Sequence, residues 1–404
     1  RRKMRSLKTQ FQEPVGNNAD NGEASLNYAI MLFVIVSTIV LFGLTALYST
    51  SYGVAGATFF KKQLLWCGIG TGCGIVTFLI GYKRLVQWSP FFIVISIILL
   101  GVALCFSEVK GARRWIKIAN FASIQPSEFA KVAIALFLAR YCSDKVRNIS
   151  VLSYKNGFLP GVAVCGVVML MVLAGKDLGT TLLLGMVTAI VFFAAGLKMR
   201  YLVVPAVTLP PLLTLAIYKL DPMRWARITS FLDPETCLKE DGYQLWNSLL
   251  ALGSGDWLGV GFMASRLKHK YLPEAHTDFI LSIVGEELGL VGLCCVIIAY
   301  LALMFVAVKI SINASTRQGM LLGCGITALI SLQAFINMGV ISGALPTKGM
   351  PAPFISYGGS NLVVCLIETG LLLSIALETA KPDFNLELMR ESKEFLVRLW
   401  NRWI

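Results

Sequence analysis

Charge is scarce in this sequence. Only 15% of its 404 residues are Asp, Glu, Lys or Arg, against about 25% in ordinary soluble domains. So few charges cannot solvate the surface of a soluble enzyme of this length, and a disordered scaffold needs more of them. Histidine is scarcer still, with His269 and His276 alone, and neither has the Cys/His spacing of a zinc site. Acidic residues number 23 against 36 basic ones, a net charge of +13. The basic residues are dispersed between apolar runs and do not interleave with aromatics on a soluble face, which excludes nucleic acid as a partner and favours membrane lipids. The ten cysteines lie mostly inside apolar stretches, and Cys237 sits in a long polar loop without a mate, so no disulfide framework is read. A nucleotide loop is missing too. The run Gly68, Gly70, Gly72, Gly74 resembles one on paper, but it lies in an apolar stretch with no strand before it, and close helix packing through small residues is the better reading.

What is abundant is hydrophobic length. With 56% hydrophobic residues the chain offers about ten stretches near the roughly 20 residues that a bilayer-crossing helix needs. They fall at 27–48, 60–80, 90–106, 126–141, 158–174, 178–197, 201–220, 278–310, 319–342 and 361–379. The fold class is therefore all-α, a polytopic integral membrane protein with about ten transmembrane helices. A large extracytoplasmic loop, 221–277, separates the seventh and eighth. Lys83 and Arg84, Lys145, Arg147 and Lys155, Lys198 and Arg200, and Lys309 and Arg317 occupy alternate short loops, so the positive-inside rule puts those loops and both termini in the cytoplasm. Residues 1–26 read as a disordered cytoplasmic N-terminus, 27–380 as the membrane domain, and 381–404 as a cytoplasmic tail with the pattern of a short amphipathic interfacial helix.

Three outer loops break the charge rule. Segment 107–125 carries Lys110, Arg113, Arg114 and Lys117; segment 221–277 carries Arg224, Arg227, Arg266, Lys268 and Lys270; segment 343–360 carries Lys348. Arg and Lys converging at one membrane face suit phosphate or pyrophosphate; independently solvated loops are the alternative. Charges within spans need a reason, since each costs roughly 3 kcal/mol near the bilayer centre. They are Glu128, Lys131, Asp177, Glu286, Glu287 and Glu368. Glu128 and Lys131, three apart, are neighbours on one helix face, either a structural ion pair or a substrate contact. Glu286 and Glu287 point to opposite sides and cannot serve one atom. Asp278 opens a span at the water-lipid boundary, where an amphiphile's headgroup would lie. A carboxylate there either favours the helix dipole or, partly desolvated beside Glu274 and His276, acts as general base.

These residues resemble the SEDS (shape, elongation, division, sporulation) family. The matching strings are Gly111-Ala112-Arg113-Arg114-Trp115-Ile116, Gln125-Pro126-Ser127-Glu128-Phe129-Ala130-Lys131, Asp177-Leu178-Gly179-Thr180 and Arg227-Ile228-Thr229-Ser230-Phe231. Further on come Leu272-Pro273-Glu274-Ala275-His276-Thr277-Asp278, Gly285-Glu286-Glu287-Leu288-Gly289, Leu345-Pro346-Thr347-Lys348-Gly349 and Ser356-Tyr357-Gly358-Gly359-Ser360. They look more like the division branch than the elongation branch. The sequence departs from the family pattern at four places: Lys176 stands where the family usually has Pro, Lys270 where many members have an acidic residue, Asn361 replaces a usual second Ser, and Met350-Pro351-Ala352 replaces a more apolar triplet.

The resemblance implies a peptidoglycan glycosyltransferase that polymerises lipid II at the outer face of the bacterial cytoplasmic membrane during cell division. It would invert the anomeric centre and release undecaprenyl pyrophosphate. The family's essential Asp falls on Asp278, and function-linked positions fall on Arg114, Trp115, Glu128, Lys131, Arg227 and Lys348; Glu274 and His276 join them as substrate-binding candidates. Mg²⁺ or Mn²⁺ could share the task of neutralising pyrophosphate, with protein ligands that cannot be read from the sequence, and no nucleotide cofactor is expected. The implied partners are lipid II, the lipid-linked glycan, a class B penicillin-binding protein and other divisome proteins. A lipid II flippase and a non-enzymatic divisome scaffold remain the alternatives.

Overall fold

The computed structural model describes residues 18–108, 112–118, 122–147, 157–220, 225, 231, 241–268, 272–273, 275–346 and 349–382. Helices dominate, because a backbone in hydrocarbon has to satisfy its own N–H and C=O groups. In chain order they are α1 (Asn18–Ala55), α2 (Thr58–Ile80), the short α3 (Tyr82–Gln87), α4 (Ser89–Cys105), α5 (Pro126–Arg147), α6 (Leu159–Ala174), α7 (Leu178–Ala194) and α8 (Arg200–Leu220), followed by α9 (Asp241–Gly255), α10 (Ile280–Ile312), α11 (Arg317–Ile341) and α12 (Gly359–Ala380). Among the described residues, five stretches are long and apolar enough to cross a membrane: Gly22–Tyr52, Thr58–Ile80, Ile280–Ile312, Arg317–Ile341 and Gly359–Ala380. Shorter apolar helices are Ser89–Cys105, Leu159–Ala174 and Leu178–Ala194. Large side chains such as Phe33, Leu41, Phe91, Leu170, Ile298 and Phe305 are exposed on the outside of the bundle, as lipid requires. The chain is a multi-pass membrane protein.

The glycine run packs as its spacing predicts. α12 lies against α1 and α2. A Cβ on Gly70 would meet Leu366 Cδ1 at 2.7 Å, one on Gly74 would meet the Leu366 carbonyl oxygen at 2.7 Å, and one on Gly370 would lie 2.4 Å from the Gly74 carbonyl. Gly68 and Gly72, on the other face of α2, have nothing within 4 Å of such a Cβ. Two of the four glycines therefore set the helix–helix distance.

The loops gather at two ends. At one, Lys83 pairs with Glu378 at 2.5 Å, the Tyr82 amide donates to Ser374 Oγ at 3.0 Å, and Arg317 donates to the Ala195 carbonyl at 2.9 Å. Lys83, Lys198, Arg200, Lys309 and Arg317 all belong to this basic end. The other end collects the segments 112–118, 122–124, 175–177, 255–268, 275–279, 343–346 and 349–358.

Four features differ from the sequence reading. α1 begins at Asn18, so part of the segment read as disordered is helical; Ser25 is buried and Gly22 packs on the Ala380 carbonyl, so the end of α12 supports this extra length. A two-stranded antiparallel hairpin, β1 (Ile116–Ile118) and β2 (Ala122–Ile124), interrupts the all-α pattern between α4 and α5. The stretch between α8 and α10 is not all loop, since α9 packs on α10. Finally, α10 is broken at Gly289, whose φ of 67° and ψ of −166° suit a residue without a Cβ.

Candidate active site

The short half of α10 starts at Ile280, with Phe279 as its N-cap and no side-chain cap. Asp278 therefore lies in the turn before the helix rather than in its first turn, and Thr277 does not occupy the cap position. The turn is held from behind. Asn337, on α11 and 1% exposed, donates from Nδ2 to the Asp278 carbonyl at 2.8 Å and to the Met350 carbonyl at 2.7 Å. This brings Gly349 against the carboxylate: a Cβ there would lie 2.5 Å from Asp278 Oδ2. The half-buried Asp278 side chain thus has a backbone without a side chain on one flank.

The segment 349–358 is irregular but fixed by side chains from four helices. Gln333, one turn before Asn337 on α11, donates to the Pro351 carbonyl at 2.9 Å. Tyr300 of α10 donates to the Pro353 carbonyl at 2.6 Å. Gln63 of α2 donates to the Ser356 carbonyl and accepts from the Gly358 amide. From α12, Ser360 Oγ accepts from the Gln125 amide, tying the following turn to the hairpin. The Tyr357 amide donates to the His276 carbonyl at 3.0 Å, and the His276 ring stacks on Phe59 with centroids 4.4 Å apart. Burial pushes the Tyr357 phenol above its ordinary pKa, so this ring faces His276 as a neutral hydroxyl.

Below this turn lies a buried polar cluster. Lys131 Nζ is 2.8 Å from Glu128 Oε2, in a contact without hydrogen-bond geometry at that oxygen, and donates to Gln333 Oε1 at 2.7 Å. Gln333 passes the chain on to Asn361 Oδ1 at 2.8 Å. The Glu128–Lys131 ion pair is therefore real and buried, and Asn361 supplies an acceptor two bonds away from Lys131. Glu368 is buried on the same helix and lies within electrostatic range of Lys131.

Arg114 reaches Asp177 at 3.8 Å with a side chain 28% exposed, while its Nε is buried without a hydrogen-bond partner among the described residues. Asp177 N-caps α7, accepting from the Thr180 amide and hydroxyl, and also accepts from Gln125 Nε2. The preceding Lys176 has φ 63°, a value a proline ring cannot take, so the departure at this position comes with a rebuilt turn. Trp115 is half-buried just before β1.

Glu286 and Glu287 serve different atoms, as their spacing requires. Glu286 accepts from Ser265 Oγ at 2.5 Å and the Arg266 amide at 2.8 Å; Glu287 accepts from Ser49 Oγ at 2.5 Å and Lys268 Nζ at 2.7 Å. Both anchor the segment 265–268 onto the broken helix. Lys268, read as part of a phosphate-binding mouth, is 4% exposed and neutralised by Glu287. Of the remaining candidates, Arg227, Glu274 and Lys348 lie outside the described residues. Among the described residues no group of three or more His, Cys, Asp or Glu side chains could hold a metal ion.

The sequence reading missed Asn337, Gln333, Gln63 and Tyr300. The available signal was the pair of carboxamides at i and i+4 in the otherwise apolar α11, which share one helix face.

Residues 23–381 match the FtsW/RodA/SpoVE family, described as cell cycle proteins. The chain is 36% identical over 361 residues to a probable peptidoglycan glycosyltransferase FtsW of Geobacter sulfurreducens, covering 86% of this chain and 95% of that protein. It is 34% identical over 360 residues to the stage V sporulation protein E of Bacillus subtilis, covering 86% and 96%. Among solved structures it superposes on a chain of a peptidoglycan synthase complex with a TM-score of 0.73 at 24% identity, covering 87% of this chain and 98% of that one. It also superposes on the rod shape determining protein RodA of Thermus thermophilus with a TM-score of 0.64 at 24% identity, covering 86% and 96%. With a family match over most of its length and a fold shared with those chains, this protein belongs to the FtsW/RodA/SpoVE family.

Proposed function

We propose that the chain is a peptidoglycan glycosyltransferase that polymerises lipid II, with Asp278 as its general base. The observation that carries this reading is the placement of Asp278: a half-buried carboxylate in a turn at the end of the bundle opposite the basic loops, held through its own backbone and flanked by Gly349. There the sugar 4-hydroxyl of an acceptor lipid II gives its proton to Asp278 as its oxygen attacks the anomeric carbon of the donor strand. The bond from that carbon to undecaprenyl pyrophosphate breaks, the pair of electrons leaves with the pyrophosphate, and the centre inverts. Arg114, whose partly exposed side chain lies 3.8 Å from Asp177, together with Arg227 and Lys348, offsets the charge on the leaving group. Lys131 is buried and already paired, and its role in this reading is to hold the helices under the site.

Ten membrane crossings with both termini in the cytoplasm are supported by the alternation of the long helices between the two ends, and by Gly22 and Ala380 meeting at the basic one. Action at the division site beside a class B penicillin-binding protein rests on the relatives named FtsW and on the solved peptidoglycan synthase complex.

The test is polymerisation of labelled lipid II by the purified protein, with and without its cognate transpeptidase. Asp278→Asn and Asp278→Ala are expected to lose roughly 100-fold or more, the lower range for a general base. No polymer from wild type with its partner and a divalent cation, or equal polymer from the variants, would end this assignment and make lipid flipping the next assay.

A further inference from the structure

We infer that Asn337 is a positioning residue for Asp278, acting as a clasp between two chain segments at a point where their own backbones cannot bond each other. The groups that meet behind the site are two carbonyl oxygens, of Asp278 and Met350. Both are acceptors, so neither can bond the other, and a donor group that offers a hydrogen to each can join them. The Asn337 carboxamide is such a group, with both bonds short, 2.8 and 2.7 Å. It projects from α11, which packs against α10 and against the start of α12, so the clasp is fixed to a rigid element rather than to either loop.

The consequence for the carboxylate follows from Gly349, one residue before Met350. Fixing the Met350 carbonyl fixes the Gly349 backbone, and that backbone is so close to Asp278 Oδ2 that a Cβ would lie 2.5 Å away. Asn337 therefore sets the distance between the carboxylate and the wall that limits its rotation, and Gly349 leaves room for it. Stability alone is a poor reason for a carboxamide here, because Asn337 Oδ1 is buried without a hydrogen-bond partner among the described residues, an unfavourable state for an acceptor.

This inference rests on Asp278 being the base. Replacing Asn337 loosens the two segments where they flank the carboxylate without touching the substrate, and misplacing a reacting group by about 1 Å can cost on the order of 100-fold. Asn337→Ala and Asn337→Asp, the second isosteric but stripped of both donor hydrogens when ionised, are expected to lower kcat for lipid II polymerisation 10- to 100-fold with KM changed less than threefold. Gly349→Ala, which pushes on the carboxylate from the other side, is expected to do the same. Asn337→Ser, small and able to donate one hydrogen, is expected to fall between wild type and alanine. Hydrogen exchange at 275–279 and 349–353 is expected to quicken in Asn337→Ala while the rest of α10 and α11 stays protected.

A variant that loses activity only in proportion to its folded fraction, or one whose loss lies in KM, would overturn the positioning role. Unchanged exchange in both segments would overturn the clasp whatever the kinetics. If instead wild type made no polymer, or Asp278→Asn retained activity, the base assignment would fall and take the positioning role with it, while the exchange measurement would still report whether the clasp exists.

Discussion

At the scale of single residues, the charges inside this protein are explained by their partners rather than by the lipid around them. Lys268 and Glu287 are 3% and 4% exposed at the side chain and 2.7 Å apart. Such a pair adds little net stability, but removing one member strands the other. Glu287→Ala is expected to destabilise the protein by about 3–5 kcal/mol, whereas Glu287→Leu combined with Lys268→Met recovers much of that loss. Thermal unfolding in detergent distinguishes them, and an equal loss in the single and double variants would refute the pairing argument. The sequence made Glu287 conspicuous and showed that it could not work with Glu286, because that follows from 100° per residue. It could not show Ser49 and Lys268 as its partners, because Ser49 is 238 residues away in the chain and only packing brings it there.

At the scale of elements, small residues and breaks do most of the positioning. Gly70, Gly74 and Gly370 let α2 and α12 approach, and Gly74→Val or Gly370→Val is expected to cost about 1–3 kcal/mol by overpacking. Gly68→Val, facing open space, should stay within about 0.5 kcal/mol of wild type. A denaturation series that ranked Gly68 with Gly74 would show that the spacing does not set this interface. The break in α10 is equally specific. At Gly289 a Cβ would lie 2.4 Å from the Gly259 amide nitrogen and 2.5 Å from the Trp257 carbonyl oxygen, while the Val260 and Gly261 amides donate to the Glu286 and Glu287 carbonyls. Loop and helix backbones meet directly there. From the sequence this span reads as one uninterrupted helix, since a single glycine in an apolar run costs only about 1 kcal/mol and does not announce a break.

At the scale of the whole molecule, two ends with different chemistry are separated by an apolar bundle. The basic end carries short loops stapled by Lys83–Glu378 and Arg317; the other end carries the irregular segments that surround Asp278. In a background without native cysteines, Lys198→Cys is expected to react with an impermeant maleimide only from the cytoplasmic side, and Arg266→Cys only from outside. Both positions are exposed. Labelling of both from one side would overturn the topology and with it the outer location of the reaction.

The sequence by itself determined the class of the protein and the approximate place of its long helices, and it supplied the expected orientation and the candidate base, Asp278. Those depend on local quantities: hydropathy over about 20 residues, the sign of short loops and contiguous motifs. Only the tertiary structure decided what holds the site. Asn337, Gln333 and Gln63 are ordinary amides in apolar helices until folding sets them against the carbonyls of 278 and 350–356. Hydrogen bonds to main-chain carbonyls leave no trace in the sequence of the accepting residue, because every residue has such a carbonyl. The same is true of Gly349, whose lack of a side chain matters only because Asp278 is 71 positions earlier in the chain and next to it in space.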